Sequence, residues 1–121
     1  MQVLYRNNKL KNLCEELSIA KKKLPEKIAL ATIKSINFII AAESLNDVIQ
    51  DQPFRFHDLK GKEQGIYAID IGSKREGYRM QLIPLDEEGN EVSNNQVFGN
   101  ASSIKVVKIW EVGNHYEWNN L

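Results

Sequence analysis

The sequence predicts an α+β fold: two N-terminal helices packed on a curved antiparallel sheet, in the order β-α-α-β-β-β. Three observations carry this prediction. Apolar residues recur at helical spacing in residues 10–17 and again in residues 29–40. From residue 66 the pattern changes to short β-rich runs separated by glycine-containing polar turns. A length of 121 residues supports one hydrophobic core, so residues 1–121 are read as a single domain.

Each element has its own signal. QVLYR, residues 2–6, is short and rich in β-formers and reads as a strand. Asn7 and Asn8 offer an N-cap, and Leu10, Leu13, Cys14 and Leu17 follow at i, i+3, i+4 and i+7. Cys14 lies in that stripe and reads as a buried structural thiol. Pro25 suits the start of a second helix, with Ala29, Ile33, Ile36 and Ile40 on one stripe and an end near Ser44. Lys21, Lys22 and Lys23 read as a solvated end of the first helix, favourable to its dipole. Residues 50–65 show no helical stripe and read as a long charged and aromatic connection, of the kind that often carries function. IYAIDI, residues 66–71, places Tyr67, Ile69 and Ile71 on one side of a strand. GSKREG is a turn bracketed by Gly72 and Gly77. YRMQLIPL, residues 78–85, sends Tyr78, Met80 and Leu82 one way and Arg79 and Gln81 the other. A polar loop follows, and IKVVKIWEV, residues 104–112, is the last strand. The first strand, remote in sequence, is expected to join the sheet through a longer connection.

Composition narrows the functional classes. No apolar run approaches the ~18 residues of a membrane span, and the N-terminus lacks the apolar stretch of a secretory signal. One cysteine cannot form an internal disulfide or a cysteine-based metal site, which fits a reducing cytoplasm. No phosphate-binding glycine loop, zinc pattern or nucleophile elbow is present. With two histidines and one cysteine, the expectation is chemistry without a metal or other cofactor, or a binding role.

The formal net charge is zero, which on its face argues against a nucleic-acid ligand. The total hides a division. Residues 1–34 hold eight basic groups against three acidic ones, whereas residues 81–121 hold two against six. Local potential, not the sum, governs a phosphate-binding surface.

Three places concentrate reactive groups: the run Phe54-Arg55-Phe56-His57-Asp58-Leu59-Lys60-Gly61-Lys62, then Arg79, then His115 with Tyr116. Taken singly each has an ordinary reading. Loop cations are usually solvated, Arg79 can pair with a carboxylate such as Asp70 on the neighbouring strand, and a terminal His-Tyr is often only an edge. Together they are the groups that break an RNA phosphodiester without metal. A base removes the 2′-hydroxyl proton, positive charge stabilises the phosphorane, and an acid protonates the leaving 5′-oxygen. Histidine suits proton transfer near neutral pH, and arginine presents a planar fork to phosphate oxygens.

These residues resemble the RelE/HigB-type toxins of bacterial type II toxin–antitoxin modules. His57-Asp58-Leu59-Lys60-Gly61 followed by Gly65-Ile66-Tyr67-Ala68-Ile69 is similar to the HigB-type H-x-L-K-G and G-x-[YW]-[SA]-[IV] run. Tyr78-Arg79-Met80 is similar to the aromatic–arginine step that follows it, and Ile109-Trp110-Glu111-Val112 with His115-Tyr116 to the last strand and terminal Tyr/His. The order of His115 before Tyr116 reverses the usual one, and residues 86–103 form an insertion that most relatives lack. The resemblance implies a RelE/ParE-like fold and a ribosome-dependent mRNA endoribonuclease (an mRNA interferase) that inhibits translation. The implied reaction is 2′-hydroxyl attack leaving a 2′,3′-cyclic phosphate and a 5′-hydroxyl. The implied partners are mRNA on the ribosome and a cognate antitoxin, a helix-turn-helix DNA-binding protein joined to it in a hetero-oligomer, with no membrane involved.

On that resemblance His57 or Lys60 serves as base, Arg79 stabilises phosphate, and His115 or Tyr116 acts as acid or stacking partner. Arg55, Lys62 and Trp118 would hold RNA. Two other classes stand beside this expectation. One is a non-nuclease toxin of the same fold directed at DNA gyrase, or an inactive complex partner, and the His/Lys set argues against it. The other is an antitoxin, against which stands the lack of a recognition helix.

Overall fold

The computed structural model describes residues 1–59 and 65–114. Lys60, Lys62, His115, Tyr116 and Trp118 lie outside the described residues. The fold is α+β, as the sequence predicts, with five helices and one open five-stranded sheet among the described residues. The strands are β1 (Gln2–Tyr5), β2 (His57–Asp58), β3 (Tyr67–Asp70), β4 (Tyr78–Leu85) and β5 (Val106–Asn114), in the sheet order β1-β5-β4-β3-β2. The helices are α1 (Asn8–Glu15), α2 (Leu17–Lys23), α3 (Glu26–Ala41), α4 (Leu45–Gln50) and α5 (Asn94–Gly99).

Asn7 caps α1 as expected, its side chain accepting from the Leu10 amide. The first helical stretch then breaks at Glu16, whose backbone is extended. α1 and α2 therefore replace the single helix that the stripe suggests. Pro25 stands one place before α3 rather than inside it.

Three further features correct the expected order. The sheet is mixed rather than antiparallel, because β1 pairs parallel with β5, with Gln2 opposite Val106 and Tyr5 opposite Ile109. A parallel pair cannot be closed by a tight turn, and the long stretch of chain between β1 and β5 allows it. The connection after α3 holds α4, capped by Ser44, and the two-residue strand β2. The insertion at 86–103 is not a plain loop. It folds as α5, closed by a capping box between Ser93 and Gln96, and buries Val97 and Ala101.

The helices cover one face of the sheet. Ile28, Ile36 and Ile39 of α3, Leu10 and Cys14 of α1, and Leu45 and Val48 of α4 pack in one cluster with Tyr67, Ile69, Ile71, Met80, Leu82, Val107 and Ile109. The alternation read from β3 and β4 thus holds. Cys14 is fully buried, and burial, then Glu15 and Glu111, push its thiol up to about 12. The opposite face carries a smaller apolar cluster of Ile66, Ile83, Leu85 and Val106, flanked by Leu59 and Trp110. A bulge in β5 leaves Trp110 without a partner on β4, since Gln81 faces Glu111 and Leu82 faces Ile109.

Among the described residues no helix is long and apolar enough to cross a membrane.

Candidate functional site on the sheet face opposite the helices

Strand pairing fixes which reactive side chains share a face. His57 of β2 lies opposite Ala68 of β3, and Asp70 of β3 lies opposite Arg79 of β4. Ala68 and Asp70 are two residues apart, so His57, Asp70 and Arg79 stand on the same face. That face is the one opposite the helices, because Ile69 between Ala68 and Asp70 belongs to the helix-side core. Gln81, opposite Ala68, joins them. Two strand spacings and a two-residue offset put the Cα atoms of His57 and Arg79 on the order of 12 Å apart. Side chains of these lengths can meet one phosphodiester between them.

Asp70 organises the cation side. Its carboxylate is almost wholly buried, with 3% of the side chain exposed. One oxygen accepts from Arg55 Nε at 2.7 Å and the other from Arg79 Nε at 3.2 Å. A weaker contact runs from an Arg55 terminal nitrogen at 3.4 Å. The ordinary reading of Arg79, pairing with Asp70, is therefore what the structure contains. The pairing does not use up the guanidinium. Arg79 engages Asp70 through Nε alone, and its terminal nitrogens make no hydrogen bond among the described residues. One carboxylate between two guanidiniums leaves the trio with a net positive charge.

Arg55 carries an unusual backbone. It is the one non-glycine with positive φ among the described residues, at φ 48° and ψ 48°. Such a conformation costs roughly 1–2 kcal/mol for an L-residue and needs holding. Asp51 caps the short 3₁₀ turn Gln52–Phe54, the Arg55 amide donates to the Gln52 carbonyl at 3.0 Å, and the Arg55 side chain is tied to Asp70. The Arg55 carbonyl is then presented to His57, whose Nδ1 lies 2.7 Å from it. A carbonyl can only accept, so Nδ1 carries the proton of this bond. In the neutral ring Nε2 is then the unprotonated nitrogen, free to take a proton.

Behind β2 sits an aromatic group on the helix side. Phe56 stacks on Tyr67 with centroids 5.2 Å apart, and Phe98 of α5 meets both edge-on at 5.9 Å. Asn94 ties the end of β2 to α5 by donating to Asp58 at 2.9 Å and to the Tyr67 hydroxyl at 3.0 Å. Burial, and secondarily Asp58, raise the Tyr67 phenol, while the Asn94 bond opposes them. This packing sets the position of the strand that carries His57.

Of the residues singled out from sequence, the structure brings together His57, Arg55 and Arg79. Lys60, Lys62, His115, Tyr116 and Trp118 fall outside the described residues, although their attachment points, Leu59 and Asn114, are described. Sequence reasoning gave Asp70 only the role of Arg79's partner and missed its second partner, Arg55. The signal available was the alternation that puts Asp70 beside Arg79. Gln81 shares the Arg79 face, as the strand alternation predicts. Among the described residues no group of three or more His, Cys, Asp or Glu is placed to hold a metal ion. No family model matches the chain, and a search of curated proteins finds no match.

Proposed function

We propose that this protein is an mRNA endoribonuclease of the RelE/HigB toxin type, acting in the cytoplasm and held silent by a cognate antitoxin in a hetero-oligomer. The observation that carries the reading is the pairing, on the sheet face opposite the helices, of a histidine whose Nε2 and an arginine whose terminal nitrogens make no hydrogen bond among the described residues. That face would receive the scissile phosphodiester. His57 Nε2 takes the 2′-hydroxyl proton as the oxygen attacks phosphorus, with Lys60 the other candidate base. Arg79 donates to the non-bridging oxygens as negative charge builds on the phosphorane. The 5′-oxygen leaves with a proton supplied by an acid, for which His115 and Tyr116 are the candidates. The products are a 2′,3′-cyclic phosphate and a 5′-hydroxyl, and no electron leaves or enters the system.

Asp70 has a positioning role. It aims Arg79 and holds Arg55, which in turn sets the tautomer and direction of His57. Arg55, Lys62 and Trp118 would contact RNA beyond the scissile bond. The neutral overall charge makes for weak capture of free RNA, which suits a substrate presented on the ribosome.

The test is induced expression without a partner. Growth should stop and transcripts should accumulate cyclic-phosphate ends, while Arg79→Ala should restore both growth and intact transcripts. Intact transcripts together with a DNA-damage response would favour the gyrase-directed alternative instead.

A further inference from the structure

α3 covers the sheet with one face and leaves another to solvent. Ile28, Ile36 and Ile39 go into the core, whereas Leu30, Phe38 and Ile40 stay 45%, 38% and 46% exposed. Leu30, Ile33, Asn37 and Ile40 follow at i, i+3, i+7 and i+10, with Ala41 one turn beyond Asn37, so they form one outward stripe. Asn37 is an exposed amide in the middle of it. Beside the C-terminal end of the stripe lies a shallow hollow of about 460 Å³, bordered by Phe38, Ala41, Asp47 and Asp51.

The charge along this surface is divided. Lys27 and Lys34 are the only charged residues in 27–42, and Glu43, Asp47 and Asp51 the only ones in 43–54. Bases near the start of a helix and acids past its end run against the helix dipole, so α3 gains nothing from this order. Lys27 reaches Glu76 at 3.0 Å from an exposed position. Asp47 accepts from the Glu43 amide at 2.9 Å, and Asp51 from the Phe54 amide at 3.4 Å. Lys34 and Glu43 make no ion pair among the described residues.

We infer that the outer face of α3 is a self-association surface, on which a second copy of this chain packs antiparallel across a two-fold axis at Asn37. Reversing the helix about Asn37 sets Ile33 opposite Ala41 of the second copy, Lys34 opposite Ile40, and Leu30 beside the hollow. The two Asn37 amides meet at the axis, where each can donate to the other and accept from it. A single amide within an apolar seam fixes the register of a helix pair. The same reversal brings Lys27 opposite Asp47 and carries Lys34 toward Glu43, so the basic half of each copy lies over the acidic end of the other. A parallel pairing would set like charges together. An unrelated partner would need an apolar stripe with the opposite order of charges, and this chain presents that order when it is reversed. One helix pair with a leucine in a hollow is a small contact, so the association is reversible and depends on concentration. The inference does not rest on the proposed nuclease activity, because α3 covers the sheet face opposite the one that carries His57 and Arg79.

The test is sedimentation equilibrium of the full chain without any partner protein, over a wide range of concentration. The wild type should pass reversibly from monomer to dimer. Leu30→Asp and Ile40→Asp should each leave a monomer, and both should stay folded by circular dichroism because the two positions are exposed. Lys34→Glu and Glu43→Lys should each weaken the dimer about fivefold. The double variant carrying both reversals should regain the wild-type dimer, since each new carboxylate then faces a new ammonium on the other copy. Lys11→Glu, on the exposed side of α1, should change nothing. Three results overturn the inference. The first is a monomer at every concentration. The second is a dimer that Leu30→Asp and Ile40→Asp leave intact, which would place the contact on another surface. The third is a double charge reversal no tighter than either single one, which would rule out the antiparallel pairing.

Discussion

Ile69 and Asp70 are neighbours on β3, both buried, and they point into different worlds. Ile69 is fully enclosed by the aliphatic side chains of the helix-covered face. Asp70, 4% exposed, is enclosed by two guanidiniums on the face opposite the helices. The helix side is held by volume and area, which tolerate exchange among similar shapes. The far side, beside its smaller apolar cluster, is held at Asp70 by charge, where removing one group leaves another buried and unpaired. The difference teaches where chemistry can sit. An aliphatic face can only pack, whereas a face organised around one buried carboxylate keeps cations fixed with nitrogens to spare.

The largest effect should come from the packed side. Ile69→Ala should cost about 2–5 kcal/mol in urea unfolding, and RNA cleavage should fall only with the folded fraction. The far side should behave in the opposite way. Arg79→Lys keeps a charge beside Asp70 but removes the fork, so cleavage should fall about 10²–10³-fold with little change in unfolding midpoint. A parallel loss of stability would show that Arg79 is structural only.

Asp70→Asn joins the two behaviours. It should cost about 1–3 kcal/mol through the unpaired guanidiniums and should also slow cleavage, because Arg79 and Arg55 lose their anchor. Ser93→Ala, which removes the cap of α5, should cost about 1 kcal/mol. Its effect on cleavage should be smaller than that of Asp70→Asn, since α5 positions β2 only through Asn94 and the aromatic group.

The smallest effect is a pH slope from the packed side. The Cys14 thiol is raised from 9.0 to about 12 in the fold, so the folded state holds its proton where the unfolded chain has lost it. Stability from this group is complete below pH 9.0 and drains away as pH rises toward 12. Cys14→Ala should flatten that part of the alkaline unfolding curve, measured by circular dichroism. An unchanged slope would place the alkaline sensitivity elsewhere, for instance at Tyr5, also raised by burial and by Glu15.

The parts of this account that local pattern controls were legible in the sequence. The Asn7 cap, the alternation of Tyr67, Ile69 and Ile71, the Gly72–Gly77 turn and the Arg79–Asp70 pair all follow from spacing of a few residues. The parallel seat of β1 beside β5 was not legible, because its partners lie a hundred residues away and the strand pattern is the same in either sense. The short helices α4 and α5 had readable caps in Ser44 and in Ser93 with Gln96, but six residues are too few for a stripe. The left-handed Arg55 had no cue at all, since an arginine argues against that conformation and only tertiary contacts impose it. The link from Asp70 through Arg55 to His57 depends on that one residue.

The central claim is that the sheet face opposite the helices cleaves RNA through His57 and Arg79. The most direct measurement is mapping of RNA ends after induction of the wild-type chain and of its His57→Ala and Arg79→Ala variants, each shown folded by circular dichroism. The account predicts 2′,3′-cyclic phosphate and 5′-hydroxyl ends with the wild type and their loss in both variants. Uncut RNA with the folded wild type, or undiminished cleavage in the folded variants, would contradict it.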